Sequence, residues 1–566
     1  MLLFRNIIKN TGHNLIVIVF LFFSTTYAKA LEKYDKGDDI SNYFSGLILL
    51  NQSNYEDSYR YFKKLEGLET IHKNFSSNYI YTLINSGNFN QALNFSKRVE
   101  TANKDGFESD LIQGIYYLKN SKYELSKKYF LKASKRNFLS IFDVYLINTL
   151  YIWSNLNDVN FEKANLSIEQ LDDRFENLKK IQNVFLNCYF NTEKTENLYE
   201  KLLSSQNIDF SRYFYFYAKF LENKGKNEKA QSVVNSSLEK FPRNLLLNQY
   251  KIDLERENFK SNFNCKKRNH IIAELLYINA NALSSQSMFQ LSNFYLNLSK
   301  YLNKDFHSYD TLLAENSVRI DDFKNAKKIY EKLKNHGAAY KWYANKQISR
   351  ILIQENKKEI SLKLLNKSYS ELPNKSVHDT FDYAEFLKNN DEFVSSIKFY
   401  TNILDKINQD HPLYPEVMDG RGVAYERIGN WSKAEKDLLS SLEVSPDQAY
   451  VINYLAYSWI EKGMKINESL KMLERANKLK SNDPFIIDSL GWALYKLERY
   501  EESKNYLQLA VKLMPADPIV NDHYGDVLWK NGNKIQARYY WNYVLNLEKA
   551  EGDLKEKIEQ KLIKGL

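Results

Sequence analysis

Asp522, His523 and Asp526 come nearest, in type and spacing, to a site of chemistry in this 566-residue chain. The two aspartates stand at i, i+4 on one face of a helix, with the imidazole beside them. Two carboxylates and an imidazole are metal-ligand types. Aspartate near the positive N-terminal end of a helix is also the ordinary complement of the helix dipole, and that plainer role is the one expected. Cys188 has no histidine near it in sequence, although nucleophile and base often meet only in the fold. The phosphate-cradling G-x-x-x-x-G-K-[ST], the nucleophile turn G-x-S-x-G and the zinc-binding H-E-x-x-H do not occur. No catalytic residue, metal or cofactor is therefore expected. Cys188 and Cys265, the only two cysteines, are too few for a disulfide framework or a cysteine-rich zinc site. They either pair or remain as buried thiols.

The elements that must position these residues are helices. Glycine (18) and proline (8) are scarce, which argues against sandwiches, barrels and linker-rich chains. Leu, Lys, Glu, Asn and Tyr abound, and the breakers are few, so helix is expected nearly throughout. A single core stops growing near roughly 250–300 residues, so the chain is several domains or an elongated stack. At the front, Arg5 and Lys9 precede an apolar run, Leu15 to Phe23, and Ala28-Lys29-Ala30 places small residues at −3 and −1. This is the pattern of a secretory signal peptide cleaved after Ala30. Nine apolar residues are too few for a span, which needs about 20. Cleavage would leave a net charge of +6, spread out rather than gathered in a nucleic-acid-binding stripe. No nucleic-acid partner is expected, and membrane association is expected to be indirect if it occurs.

An internal repeat emerges from the spacing of small residues. RGVAY (421–425), LAYSW (455–459), LGWAL (490–494) and YGDVL (524–528) carry Gly422, Ala456, Gly491 and Gly525, spaced 34, 35 and 34. A second small residue follows about twelve positions later: Ala434, Ser469, Ser503 and Ala537. A third, such as Ala510, lies a further turn or two along. Two short antiparallel helices approach closely only where small side chains face each other, and large ones, Leu438 and Leu507, fill the gaps. Prolines 242, 373, 446 and 515 lie 24 residues after a small position, and Asp483-Pro484 and Asp517-Pro518 supply a cap followed by proline at the first helical position. Upstream the ladder continues at Ala384 with Ser396, Ser349 with Ser361, Ala314 with Ala326, Ala218 with Ala230, Gly114 with Ser126, Ile80 with Ala92 and Gly46 with Ser58.

This period and residue pattern resembles the tetratricopeptide repeat, TPR. The resemblance is closest over 380–550 and implies an all-α superhelical solenoid of antiparallel helix pairs. About eleven repeats are legible. Over 141–210 and 245–305 the pattern stays helical, but the small residues are lost. The expected organisation is a signal peptide at 1–30, N-terminal repeats at 31–140, degenerate helical repeats at 141–310, C-terminal repeats at 311–550 and a capping helix at 551–566. That last helix carries Leu554, Ile558 and Leu562 on one face.

In TPR proteins the first helix of each pair lines a concave groove, through positions six and three before the small residue and one and four after it. Carried over, the resemblance implies a groove of Tyr450, Asn453, Tyr457 and Ile460; then Phe485, Asp488, Trp492 and Tyr495; then Ile519, Asp522, Asp526 and Trp529. This aromatic and acidic surface suits basic or amide-rich ligands. It lacks the Lys and Arg with which chaperone-docking TPRs hold a terminal carboxylate. The chain also resembles large exported TPR proteins of Gram-negative bacteria, a group that includes an outer-membrane adaptor for a carboxyl-terminal processing protease. A non-enzymatic, protein-binding scaffold in the periplasm or at the outer membrane is therefore expected. The alternative is an envelope-biogenesis cofactor that positions peptidoglycan, polysaccharide-export or outer-membrane assembly machinery.

Overall fold

The computed structural model describes residues 37–566 except 71, 138, 206–208 and 257–261. The leader expected at 1–30 and its cleavage point lie outside the described residues. Among the described residues the protein is all-helical: thirty α-helices, most of them in consecutive antiparallel pairs. None is long and apolar enough to cross a membrane. The chain divides into two compact units, one ending at Leu372 and the other beginning at Pro373. This boundary falls at neither of the internal divisions, 140 and 310, drawn from the repeat pattern.

One local rule builds the pairs. The small residues expected at the contacts are all buried: Gly46, Gly114, Ala218, Ala314, Gly422, Ala434, Ala456, Gly491, Ala510, Gly525 and Ala537. Where the second small residue is serine, its hydroxyl often donates to the carbonyl of the first. Ser58 does so to Gly46 at 2.9 Å, Ser126 to Gly114 at 2.9 Å, Ser361 to Ser349 at 2.8 Å and Ser503 to Gly491 at 2.7 Å. The carbonyl's second lone pair is thereby used, and a buried hydroxyl is satisfied. Sixteen positions after each helical glycine of the ladder comes the side chain that fills its place. A Cβ added at Gly46, Gly114, Gly491 or Gly525 would stand 2.5, 2.3, 2.7 or 2.4 Å from Phe62, Phe130, Leu507 or Trp541. At the same register the bulky Ile80 is followed by Ser96, and both are buried.

The turn between paired helices obeys a second rule, absent from the sequence reading. Seven residues after the small position, the backbone is left-handed. This holds at Ser53, Gly87, Ser121, Gly225, Asp321, Asn356, Asp391, Gly429, Gly463, Glu498 and Gly532, with φ between 58° and 82°. It also holds at Asn191 and Ser287, which mark repeat positions at 184 and 280. The expectation that small residues are lost over 245–305 is thereby corrected. Ala280 is fully buried, lies 34 before Ala314, and accepts a 2.7 Å hydrogen bond from Ser292, twelve on. The real irregularity is one single helix, Leu245–Glu255, which packs against Ser211–Asn223, Asn227–Lys240 and Ala338–Gln354. Gln249 on it accepts from the Ala339 amide at 3.1 Å.

In the first unit, the hairpin Arg268–Ser285 and Phe289–Leu302 folds back onto the first helices of earlier pairs, Lys73–Asn85, Phe107–Lys119 and Ile141–Ser154. Phe89 stacks on Tyr301 at 3.5 Å, and Tyr81 meets Phe294 edge-on at 4.7 Å. Asn85 donates to the Gln290 carbonyl at 3.3 Å, and Gln290 to the Leu50 carbonyl at 3.3 Å. Lys119 donates to the Tyr301 carbonyl at 2.6 Å. One continuous hydrophobic core consequently runs from Leu50 to Leu313. The two cysteines pair: Cys188, near the end of Glu176–Phe190, is bonded to Cys265, just ahead of the hairpin, with Cα atoms 5.9 Å apart. Closing a loop of 77 residues restricts the unfolded chain by about 4.5 kcal/mol.

Candidate functional site

In the first unit the chain's own hairpin lies on the first helices Lys73–Asn85, Phe107–Lys119 and Ile141–Ser154, where groove positions would be. Leu111, Ile115 and Leu118, at the positions three before and one and four after Gly114, are fully buried where the hairpin lies. What remains open is a cavity of about 450 Å³, walled by Leu178, Ile181, Arg212, Leu246, Tyr277 and Asn281, among others. Arg212 is fixed there by both oxygens of the buried Glu274, at 2.7 Å each, and its guanidinium lies 3.8 Å over Tyr277.

The groove expected in the second unit is two surfaces rather than one. Its floor is an internal network. His523 donates from Nδ1 to Asp488 at 3.0 Å and stacks on Trp492 at 3.9 Å. Trp492 stacks in turn on Tyr495 at 4.6 Å and donates from its indole to Glu461 at 2.6 Å. The terminal helix Gly552–Lys564 sends Lys561 to Asp522 at 2.5 Å and to both oxygens of Asp526 at 2.7 and 2.9 Å. Asp526 also accepts from the Trp541 indole at 3.0 Å. Trp529, half-buried, lies against Gly565 and within 5.3 Å of Trp541. Asp488, Trp492, Asp522, His523 and Asp526 are thus buried. The expectation of an open acidic and aromatic surface is corrected at these positions, because the chain's own cations reach them first. The Asp522-His523-Asp526 trio does not converge: His523 turns to the preceding repeat and the aspartates to the terminal helix.

Electrostatics fit this arrangement. Burial alone would lower the His523 pKa, but Asp488, with Asp522 and Asp526 adding to it, outweighs burial and holds the imidazolium above the ordinary range. Burial pushes Asp526 up to about 6, helped by Asp522 and opposed by Lys561. In an earlier repeat of the same unit, burial pushes Asp419 up to about 6, with Glu385 and Glu416 adding to the shift and Lys388 opposing it.

The rim of the groove is open. Six positions before each small residue, Tyr450, Phe485 and Ile519 are 53, 56 and 43% exposed. They stand at or near the starts of helices Ala449–Glu461, Pro484–Lys496 and Pro518–Lys530, and so recur once per repeat. Asp483 and Asp517 fix two of these starts by accepting first-turn amides at 2.9–3.3 Å. The Tyr450 hydroxyl donates to Asp483 at 2.9 Å, and the Lys480 ammonium lies 4.1 Å over its ring. Six positions earlier Val444, Leu479 and Leu513 are also exposed. These belong to the second helices, and the groove rule carried from the resemblance did not reach them. Asn453 and Tyr457 lie between rim and floor, and the Asn453 carbonyl oxygen is buried without a hydrogen-bond partner among the described residues.

Residues 308–550 match the tetratricopeptide repeat family. This stretch is therefore built of tetratricopeptide repeats, modules that bind other proteins or peptides. A TPR repeat-containing protein of Pseudomonas aeruginosa is 28% identical over 149 residues, which is 26% of this chain. The matched stretch covers 24% of that curated relative. Among solved structures, MamA from Desulfovibrio magneticus RS-1 is 16% identical with a TM-score of 0.27, over 31% of this chain and 97% of its own. A thermophilic TPR protein of Thermus thermophilus is 13% identical with a TM-score of 0.29, over 33% of this chain and all of its own.

Proposed function

We propose that this tetratricopeptide-repeat chain is an exported, non-enzymatic scaffold of the Gram-negative cell envelope, which presents its C-terminal repeats to partner proteins or peptides. A protease and its substrates are partners of the expected kind. The observation that carries the reading is the state of the two grooves. The first is covered by the protein's own hairpin over three of its helix pairs. The second keeps a row of exposed apolar side chains, Tyr450, Phe485 and Ile519, recurring with the repeat. Exposed aromatic and aliphatic anchors on a rigid stack favour binding, since little further ordering is required. The Cys188–Cys265 bond supports export, because disulfides persist in oxidising compartments. So does the leader pattern at 1–30.

The test is retrieval of partners from an envelope extract, with N-terminal sequencing of the same protein. Wild type, starting at Leu31, is expected to retain partners that Phe485→Asp/Ile519→Asp loses while keeping its helicity. A buried anchor typically loses at least about 2 kcal/mol on truncation, so the loss should be easily seen. Equal retrieval by both folded proteins would refute the rim, and a chain starting at Met1 would refute export.

A further inference from the structure

We infer that the cavity of the first unit is a binding site for a small carboxylic acid with an apolar body. At about 450 Å³ it lies within the size range of small-ligand sites. Leu178, Ile181, Leu246 and Ile278 give it apolar walls from three helices, Glu176–Phe190, Leu245–Glu255 and Arg268–Ser285. An apolar guest that fills such a space gains free energy by leaving water. The inference goes beyond the scaffold reading and concerns a part of the chain that the rim does not use.

The wall also holds an ion pair with a direction. The Glu274 side chain is 0% exposed and that of Arg212 20%, and Arg212 lines the cavity whereas Glu274 does not. The carboxylate is thus on the sealed side and the guanidinium on the open side. Glu274 takes Nε and Nη2, each at 2.7 Å, and leaves Nη1 with no partner among the described residues. The Tyr277 ring lies 3.8 Å from the guanidinium and holds its plane. A guanidinium fixed in this way offers its remaining N–H groups to an acceptor with little further ordering. A buried ion pair is no better for stability than apolar packing of the same volume, so its place in a cavity wall points to a ligand.

The other polar groups call for the same guest. Tyr213, which also lines the cavity, is 5% exposed, and its hydroxyl is buried without a partner among the described residues. Three helices begin at the cavity, Glu176–Phe190, Ser211–Asn223 and Ser308–Arg319, and the residue before each forms no side-chain cap. Their first turns add the positive ends of three helix dipoles. Asp209 opposes them, but it is exposed and its carboxylate already accepts the Ser211 amide at 2.8 Å. The wall therefore offers unanswered donors on one side and apolar surface on the other. A carboxylate on an apolar body meets both, since it pairs with a guanidinium through charge-assisted hydrogen bonds. A bare anion would leave the apolar walls uncovered.

Titration calorimetry on the purified full chain tests this with three probes: octanoate, its neutral twin octanamide, and inorganic phosphate. Octanoate is expected to bind one to one with a Kd below about 1 mM. Octanamide should bind at least about tenfold more weakly, the scale of a lost hydrogen bond to a charged group, and phosphate should give no heat. Asn281 lines the cavity and is exposed, so it stands at the mouth. Asn281→Trp should therefore abolish octanoate binding and leave circular dichroism unchanged. Arg212→Met/Glu274→Leu removes the pair without stranding either charge, and should bind octanoate and octanamide alike. Four results would overturn the inference: no octanoate heat up to about 10 mM, octanamide or phosphate binding as tightly as octanoate, undiminished binding by Asn281→Trp, or a folded double variant that still prefers octanoate.

Discussion

Gly491→Leu tests whether size complementarity across each helix pair sets the fold. A Cβ at 491 would stand 2.7 Å from Leu507 Cγ, 2.9 Å from its Cδ2 and 3.2 Å from its backbone nitrogen. Carbon atoms prefer about 3.5–4.0 Å, so the first added atom alone intrudes by about 1 Å. Leu507 is fully buried and has nowhere to turn. The backbone contact means that a side-chain rotation cannot relieve the clash without moving the helices apart, which also strains the Ser503 hydrogen bond to the Gly491 carbonyl. Overpacking of this kind costs about 3 kcal/mol. Removing a glycine from a helix interior returns about 1 kcal/mol. A net loss of about 2 kcal/mol is expected. Leu507→Ala alone opens a cavity and should cost about 2–5 kcal/mol. The double variant recreates the swap already present at Ile80 and Ser96, with the large residue on the first helix and the small one on the second. Its loss should fall short of the sum of the singles by about 2 kcal/mol, the scale of coupling between touching residues. Urea melts followed by circular dichroism at 222 nm supply all three values. Losses that add to within about 0.5 kcal/mol, as independent sites do, would refute the argument.

Two further outcomes follow from the second unit. Because Asp488 raises the His523 pKa, the native state holds that proton longer than the unfolded chain does. The stability it gives is complete below the unfolded histidine value of about 6.5 and is lost as pH rises through the folded one. Urea midpoints should therefore fall above that pH in wild type and not in His523→Phe. The separate fall between about pH 4 and 6, from the raised Asp419 and Asp526, should persist in both and reach to higher pH in the variant, because His523 no longer holds Asp526 down; a variant whose midpoints fall as steeply as those of wild type above about pH 7 would count against the Asp488 pairing. Glu498 is exposed and left-handed at φ 59°, where a Cβ costs about 1–2 kcal/mol. Glu498→Gly should thus raise stability by about 1 kcal/mol, read as a higher urea midpoint, and a destabilised variant would show that the turn is not strained.

The sequence disclosed what is local. Small residues 34 or 35 apart report the contact inside one helix pair, and that contact is the same wherever it occurs, so the C-terminal repeats were legible residue by residue. The hairpin was not legible, because its packing partners lie roughly 120 to 240 residues away and leave no periodic trace. Arg268–Ser285 mixes polar and apolar residues on every side and buries Arg268, Glu274, Asn279 and Ser284 among them, since it is packed on both sides. With no polar stripe to set the register, Ala280 and Ser292 passed unnoticed. The left-handed turn seven residues after each small position did not betray them either, since Gly, Asn and Asp hold most of those turns but Ser287 holds this one. Of the carried-over groove positions, Tyr450, Phe485 and Ile519 are exposed, while Asp488, Trp492, Asp522 and Asp526 are buried. What could not be read was that a lysine 39 residues beyond Asp522 would cover part of the groove.

The back-folded hairpin has a consequence for the order of events in synthesis. A plain stack of repeats folds through neighbours, and each pair can settle as it emerges. Here Leu50 and Asn85 wait for Gln290, more than 200 residues later. Contacts of such sequence separation are slow to form, since a long loop must close before they reward the chain. Until then the apolar faces of the early repeats have no cover, and they are open to aggregation and to holding factors. The first unit should therefore close late and as one cooperative body, while the second grows pair by pair.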